Sequence, residues 1–171
     1  MDEPAIPPPR KAETTIMTDL VLPNQTNSYG TMFGGDLLAL MDKAAGITAL
    51  RFCRTTVVTA STERLDFRTP IKQGDIVEIC AKVIYTGHTS LIIRIDVYAE
   101  SPFSGNRQLC TTGYFSMVAV DADGRPIPVP PLLVESDEER EDWEHGEEIR
   151  REIQARRRAG KREHRPLPRP R

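Results

Sequence analysis

The segment from Gly34 to about Cys53 is apolar on most sides of a helical repeat rather than on one stripe, and from Leu37 to Leu50 nearly every side chain is aliphatic or small. Read as a helix rising roughly 1.5 Å per residue, the segment reaches about 30 Å, the width of a small domain. A helix apolar nearly all round is central, so the rest of the chain must cover it. The covering segments read as strand. Residues 14–22 precede the helix, separated from it by a loop at 23–33; runs at 56–67, 76–85, 91–99 and 109–120 follow with no second helix between them. In 76–85, Ile76, Glu78, Cys80 and Lys82 alternate with Val77, Ile79, Ala81 and Val83, so one face of that strand is wetter. Gly87-His88 joins it to 91–99 as a short antiparallel hairpin, glycine suiting the first central position of a type II′ turn. A polar loop fills 101–108, and Asp123-Gly124 turns the chain out of the domain. These elements predict an α+β fold, one long central helix wrapped by an antiparallel sheet of five to six strands.

The 171 residues suffice for one core plus an appendage. Residues 1–13 form a Pro-rich lead expected to be disordered, 14–130 the folded domain, and 131–171 a charged tail. Ser136 and Glu139 have the spacing of a capping box, which predicts a helix over 137–158. Acids crowd its first half and bases its second, as the helix dipole favours. Such a helix is expected to face solvent and to be followed by a disordered end. A formal net charge of -2 gives no electrostatic reason to expect nucleic acid, and no apolar run approaches the roughly 20 residues of a membrane span. The start of the chain lacks the basic and apolar stretches of a secretory signal, which points to the cytoplasm. Cys53, Cys80 and Cys110 are widely spaced, without a Cys-x-x-Cys or a neighbouring His pair, and suggest small buried residues rather than a disulfide framework or a metal site.

Asp42 is the one carboxylate between Leu37 and Leu50. A carboxylate is a poor helix former and costly to bury unless something compensates for it. Gly34 and Gly35 open the same helix. There, unpaired backbone N–H groups and the positive end of the dipole can polarise a carbonyl oxygen and hold the charge that develops as a nucleophile attacks. The glycines would equally allow tight packing of the helix start on a strand, and Asp42 would equally serve as a surface cap or salt-bridge partner. Their spacing adds a constraint. Gly35 and Asp42 point the same way but stand about 10 Å apart, whereas a carboxylate must come within about 3 Å, or one water, of the atom it activates. Acting together, the two must come from different protomers, with two such helices side by side and antiparallel. The small Ala45, Gly46 and Ala49 suit a close approach. Asn27, in the preceding loop, offers an amide to a water or a carbonyl, though Asn is also an ordinary turn residue. A nucleophile–His triad cannot be argued from the sequence, and phosphate-loop and dinucleotide fingerprints are absent.

Asn27-x-x-Gly30-Thr31-Met32-Phe33-Gly34-Gly35, followed by Met41-Asp42, resembles the signature of hotdog-fold acyl-CoA thioesterases of the bacterial and brain acyl-CoA hydrolase type. Val57-Val58-Thr59-Ala60, Phe67-x-x-Pro70-Ile71-x-x-Gly74-Asp75, Thr86-Gly87-His88-Thr89-Ser90 and Phe115-x-x-Val118-Ala119-Val120-Asp121-x-x-Gly124 stand in that family's order. The resemblance implies a hotdog fold over 14–130, a homodimer as working unit, commonly a hexamer built as a trimer of dimers, and hydrolysis of acyl-CoA to free fatty acid and CoA with no cofactor. It also implies that Asp42 activates water or itself attacks the thioester, both routes needing the ionised carboxylate. Asn27 of the opposite protomer would help place the water or carbonyl, and the backbone N–H of Gly34 or Gly35 would polarise the thioester. CoA contacts are expected at Gly87, His88, Thr89 and Ser90, with one departure. Many relatives carry Arg where His88 stands, so Arg64, Arg68 and Lys72 become candidates for the missing charge. A non-hydrolytic acyl-CoA-binding regulatory protein on the same fold is the alternative. Hotdog dehydratases need a catalytic His, and residues 23–54 contain none.

Overall fold

The computed structural model describes residues 5–63 and 65–159. Five strands, β1 Thr15–Leu20, β2 Val57–Glu63, β3 Ile76–Thr86, β4 Ser90–Glu100 and β5 Arg107–Ala119, pair antiparallel in the order β1-β3-β4-β5-β2. Helix α1, Gly34–Cys53, crosses one face of this sheet, and helix α2, Asp137–Ala159, packs on the other. Alternation builds the core. Val77, Ile79, Ala81 and Val83 of β3, with Leu91, Ile93, Ile95 and Val97 of β4, turn toward α1, where Met41, Ala44, Ala45 and Ala49 are fully buried.

Strand ends follow their partners. β1 stops at Leu20 because β3 begins opposite it at Ile76. β2 does not run on to Phe67; its last pair is Glu63 with Tyr114. Beyond it the chain leaves the sheet, where the Thr111 hydroxyl donates to the Asp66 carbonyl at 2.7 Å. β5 begins inside the expected polar loop, since Arg107 pairs with Glu100, stacks 3.5 Å over the Tyr98 ring and bonds Glu78 at 2.5 Å. The β3–β4 hairpin is not a type II′ turn, because Gly87 does not adopt a positive φ. Instead Gly87 N–H donates to the Ser90 carbonyl at 2.7 Å, leaving His88 and Thr89 at the tip. Cys53 and Cys110 are buried, and burial pushes the Cys53 thiol up to about 11; Cys80 is half-buried on the outer face.

The charged helix does not simply face solvent. Ile84 faces outward by ordinary alternation after Val83, a bulge between Val83 and Tyr85 puts Tyr85 on the same outer face opposite Ile92, and Ile149 and Ile153 of α2 bury against Ile84 and Ile92. Trp143 meets the Tyr85 ring at 5.1 Å, Glu139 and Asp142 pair with Lys82 and Arg94 at 3.2 and 3.1 Å, and Arg156 pairs with the buried Glu63 at the end of β2. The capping box closes by half. Glu139 N–H donates to Ser136 Oγ at 3.1 Å, while the Glu139 carboxylate takes the N–H of Glu135 at 2.9 Å rather than that of Ser136. That N–H first, and Lys82 second, hold the Glu139 carboxyl below the usual carboxylate range.

Part of the Pro-rich lead is also held in place. Arg10 N–H donates to the Pro131 carbonyl at 2.9 Å, the Arg10 carbonyl accepts from Leu133 at 2.8 Å, and Arg10 Nη1 reaches the Phe52 carbonyl at 2.6 Å. Residues 1–4, Arg64 and 160–171 lie outside the described residues, so the expectations of a disordered start and end and the candidacy of Arg64 fall there.

Candidate active site

Helix α1 is central but open on one side. Gly35, Leu38, Ala39, Asp42, Lys43, Leu50 and Arg51 are exposed, whereas Ala45 and Ala49 face the core. Of the three small residues expected to line an approach, only Gly46 is half-exposed, and a Cβ there would meet no atom within 4 Å. Asp42 is thus not buried in the single chain. Its carboxylate is nonetheless fixed, because Thr59 Oγ1 donates to Asp42 Oδ1 at 2.7 Å. Thr59 lies on β2, just before the register shift that leaves Ala60 without an opposite residue. β2 is an edge strand, so Asp42 and Thr59 stand beside unpaired backbone, with Leu38, Leu50 and Val58 exposed around them.

The start of α1 carries the second half of the arrangement. Phe33 is the N-cap and contributes no side-chain bond; its carbonyl accepts from Asp36 and Leu37 at 3.0 and 3.2 Å. The N–H groups of Gly34 and Gly35 find no acceptor among the described residues, leaving two donors at the positive end of a long helix. Aromatic rings flank them: a Cβ on Gly34 would stand 3.4 Å from the Phe67 ring and one on Gly35 3.1 Å from the Phe33 ring. Both rings are more than half exposed.

Asn27 organises the loop before these glycines. Its Oδ1 accepts the N–H of Tyr29 at 2.9 Å and of Thr31 at 3.3 Å, and its Nδ2 donates to Thr31 Oγ1 at 2.9 Å. Gly30 closes that turn with φ of 70°, a conformation open to glycine at little cost. Asn27 is exposed, and none of its bonds reaches Asp42 of the same chain. The candidates for binding CoA are likewise divided. Lys72 bridges Thr31 near the start of α1, and Arg68 lines a cavity of about 430 Å³ with Thr112 and Tyr114. The 87–90 turn lies at the opposite end, where the His88 and Thr89 carbonyls accept from Val129 and Ala119 at 2.9 and 3.0 Å. Ser90 Oγ is buried there without a hydrogen-bond partner among the described residues.

The family model of the thioesterase superfamily matches residues 29–102. An uncharacterized acyl-CoA thioester hydrolase of Bacillus subtilis is 38% identical over 129 residues, which are 75% of this chain and 75% of that protein. The chain belongs to the acyl-CoA thioester hydrolase family. Within that family, the cytosolic acyl coenzyme A thioester hydrolase of Rattus norvegicus is 33% identical over 129 residues, but this chain spans only 34% of its length. The acyl-CoA hydrolase of Staphylococcus aureus, solved with butyryl coenzyme A, coenzyme A and coenzyme A disulfide, superposes with a TM-score of 0.80 at 35% identity, covering 86% of this chain and 90% of that one. An apo-hexameric acyl-CoA thioesterase superposes with a TM-score of 0.79 at 39% identity, covering 85% and 93%. The hotdog fold of the acyl-CoA thioester hydrolases is therefore the fold of this chain. Reading the sequence alone did not single out Thr59, which bonds Asp42, or Phe33 and Phe67, whose rings flank the glycines. Phe33 directly precedes the glycine pair, but Thr59 gains its role only from the pairing of β2 beside α1.

Proposed function

We propose that this chain hydrolyses the thioester of acyl-CoA to free acid and CoA, at a site that two copies complete together. The observation that carries the reading is the pair of half-sites on one open helix face: Asp42 oriented by Thr59, and the unpaired N–H groups of Gly34 and Gly35 about 10 Å away along the axis. Neither reaches the other within one chain. Antiparallel apposition of two α1 helices brings Asp42 of one copy toward the glycines of the other, and the open edge of β2, with exposed Leu38, Leu50 and Val58, is the surface such pairing would cover. The Staphylococcus aureus enzyme has been solved with alanine in place of an asparagine, an aspartate and a threonine, in the order and at the two separations of Asn27, Asp42 and Thr59. A dimer as working unit fits this face, and a hexamer is supported by the similarity to the hexameric thioesterase. A cytoplasmic setting is supported by the cytosolic relatives.

In the proposed chemistry the thioester oxygen sits against Gly34 and Gly35, whose N–H groups stabilise the oxyanion. Thr59 occupies Asp42 Oδ1, leaving Oδ2 to take a proton from water as its oxygen attacks the acyl carbon. The C–S bond then breaks, and the proton passes to the departing CoA sulfur. Direct attack by Asp42 through an anhydride would use the same groups. Asn27 of the partner copy keeps one amide hydrogen beyond its bond to Thr31 and would place the water or carbonyl. The 87–90 turn, Arg68 and Lys72 are proposed to meet CoA, gathered only when two chains combine.

Release of CoA thiol from acyl-CoAs of graded chain length tests the reaction; tight binding without turnover would mean a regulatory binder instead. Sharing of the site is tested by mixing two inactive variants, Asn27→Ala and Asp42→Ala. Random exchange makes half the dimers mixed, each with one intact site, so activity should return to about one quarter of wild type. Proven exchange without recovery would place both residues in one chain's site. Thr59→Val keeps shape but loses the donor to a charged oxygen, and turnover should fall roughly 10-fold, with Thr59→Ser near wild type. Equal rates for Thr59→Val and wild type would remove Thr59 from the mechanism.

A further inference from the structure

At the C-terminal end of α1, remote from the glycines that open it, lies a cavity of about 630 Å³. Its floor is Thr15, Thr48, Phe52 and Val83, and its walls are Arg10, Lys11, Glu13, Arg51 and Arg54. Four cations face one carboxylate. The helix end accounts for some of them: Arg10 Nη1 caps the Phe52 carbonyl at 2.6 Å, and Arg51, in the last turn, lies within 3.3 Å of Thr15 Oγ1. Lys11 pairs with Glu135 at 2.5 Å. Arg54 is left over. Its side chain has no hydrogen bond or ion pair among the described residues, although it lines the cavity.

Arg54 is also the one described non-glycine residue with positive φ, 57°, at the C-cap of α1. Glycine is the usual occupant of that left-handed position, which a Cβ disfavours. A long cation therefore stands where the backbone prefers glycine, with its guanidinium unspent beside a cationic hollow. The hollow falls within the roughly 300–1,000 Å³ of small-molecule sites. Guanidinium groups bind phosphate oxygens through two parallel N–H bonds, which a mere helix-capping charge does not require.

We infer that this cavity is a binding site for a phosphate-bearing anion of nucleotide size, held by Arg54 and Arg51 with Arg10 and Lys11 at the rim. Two sources carry that chemistry, the nucleotide end of CoA itself or a free nucleoside diphosphate. The site is tested by binding alone and so does not depend on the hydrolytic reading. Calorimetric titration of the full chain with inorganic diphosphate and with ADP should detect binding that weakens with salt and falls at least 10-fold in Arg54→Gly and in Arg51→Gln. Arg54→Gly suits the left-handed backbone, so its melting temperature should hold or rise, separating lost binding from lost fold. No binding by wild type, or equal affinity in both variants, overturns the site. A parallel titration with CoA and with pantetheine identifies the source. If CoA affinity falls with Arg54→Gly while pantetheine affinity does not, and ADP competes with CoA, the cavity holds the substrate's own phosphates; if CoA affinity is unchanged while ADP affinity falls, the anion is a separate ligand.

Discussion

Asp42→Ala should lower the rate of acyl-CoA hydrolysis at least 100-fold, the loss expected when a positioned general base or nucleophile is removed. The same substitution should leave the fold nearly untouched. Asp42 is exposed, its described hydrogen bond comes from Thr59 on the strand edge, and alanine is the better helix former. Surface changes of this kind stay within about 0.5 kcal/mol of wild type, so the melting transition should move little. Measuring thiol release beside the melting curve separates the two effects. Undiminished turnover in a well-folded variant would remove Asp42 from the chemistry, and the Gly34 and Gly35 donors would then need another nucleophile. Asp42→Asn sharpens the test, since it keeps the shape and an acceptor for Thr59 while removing the charge. It should be as inactive as the alanine variant.

The helix bearing Asp42 was legible because its residues agree with one another. Small and aliphatic side chains dominate from Leu37 to Leu50, and Asp42 is the one carboxylate among them. The spacing of Gly35 and Asp42 asks for a second chain if the two act in one site, and the side of α1 that carries them is open in the single chain. Other features depend on what lies opposite in space. The end of β1 at Leu20 is set by where β3 begins, and β2 ends at Glu63 although β5 runs on to Arg107. Thr59 binds Asp42 across 17 residues of sequence, through a β2 edge whose bulge the sequence does not announce. Arg54 ends α1 in a conformation for which glycine is the ordinary mark, so its role is invisible in composition.

The docking of α2 was legible in principle and hidden by charge. Trp143, Gly146, Ile149 and Ile153 recur at helical spacing among acids and bases, a narrow stripe that the surrounding charges mask. Gly146 is its most telling member, because a glycine inside a helix is destabilising unless close packing requires it.

Gly146→Ala should therefore destabilise the protein despite improving helix propensity. On an exposed helix the change would gain about 1 kcal/mol. Here the new Cβ would stand 2.5 Å from Tyr85 Cβ and 3.3 Å from Ile84 Cγ1. Tyr85 Cβ is the root of a side chain on β3 and has no rotamer that moves it away. Helix α2 must lift instead, opening the contacts of Ile149 and Ile153 with Ile84 and Ile92 and the 5.1 Å Trp143–Tyr85 ring pair. Overpacking of this kind costs about 1–3 kcal/mol, which for a chain of this size lowers the melting temperature by roughly 2–12 °C. Gly113→Ala supplies the contrast. Its Cβ would meet Met41 Cε at 2.9 Å and Leu65 Cδ1 at 3.0 Å, both far ends of flexible side chains able to turn aside. It should melt close to wild type, within about 1 kcal/mol. If Gly146→Ala melts at or above wild type, α2 is not pressed against β3 at this point, and the ion pairs of Lys82, Arg94 and Glu63 with the helix must hold it at a looser distance.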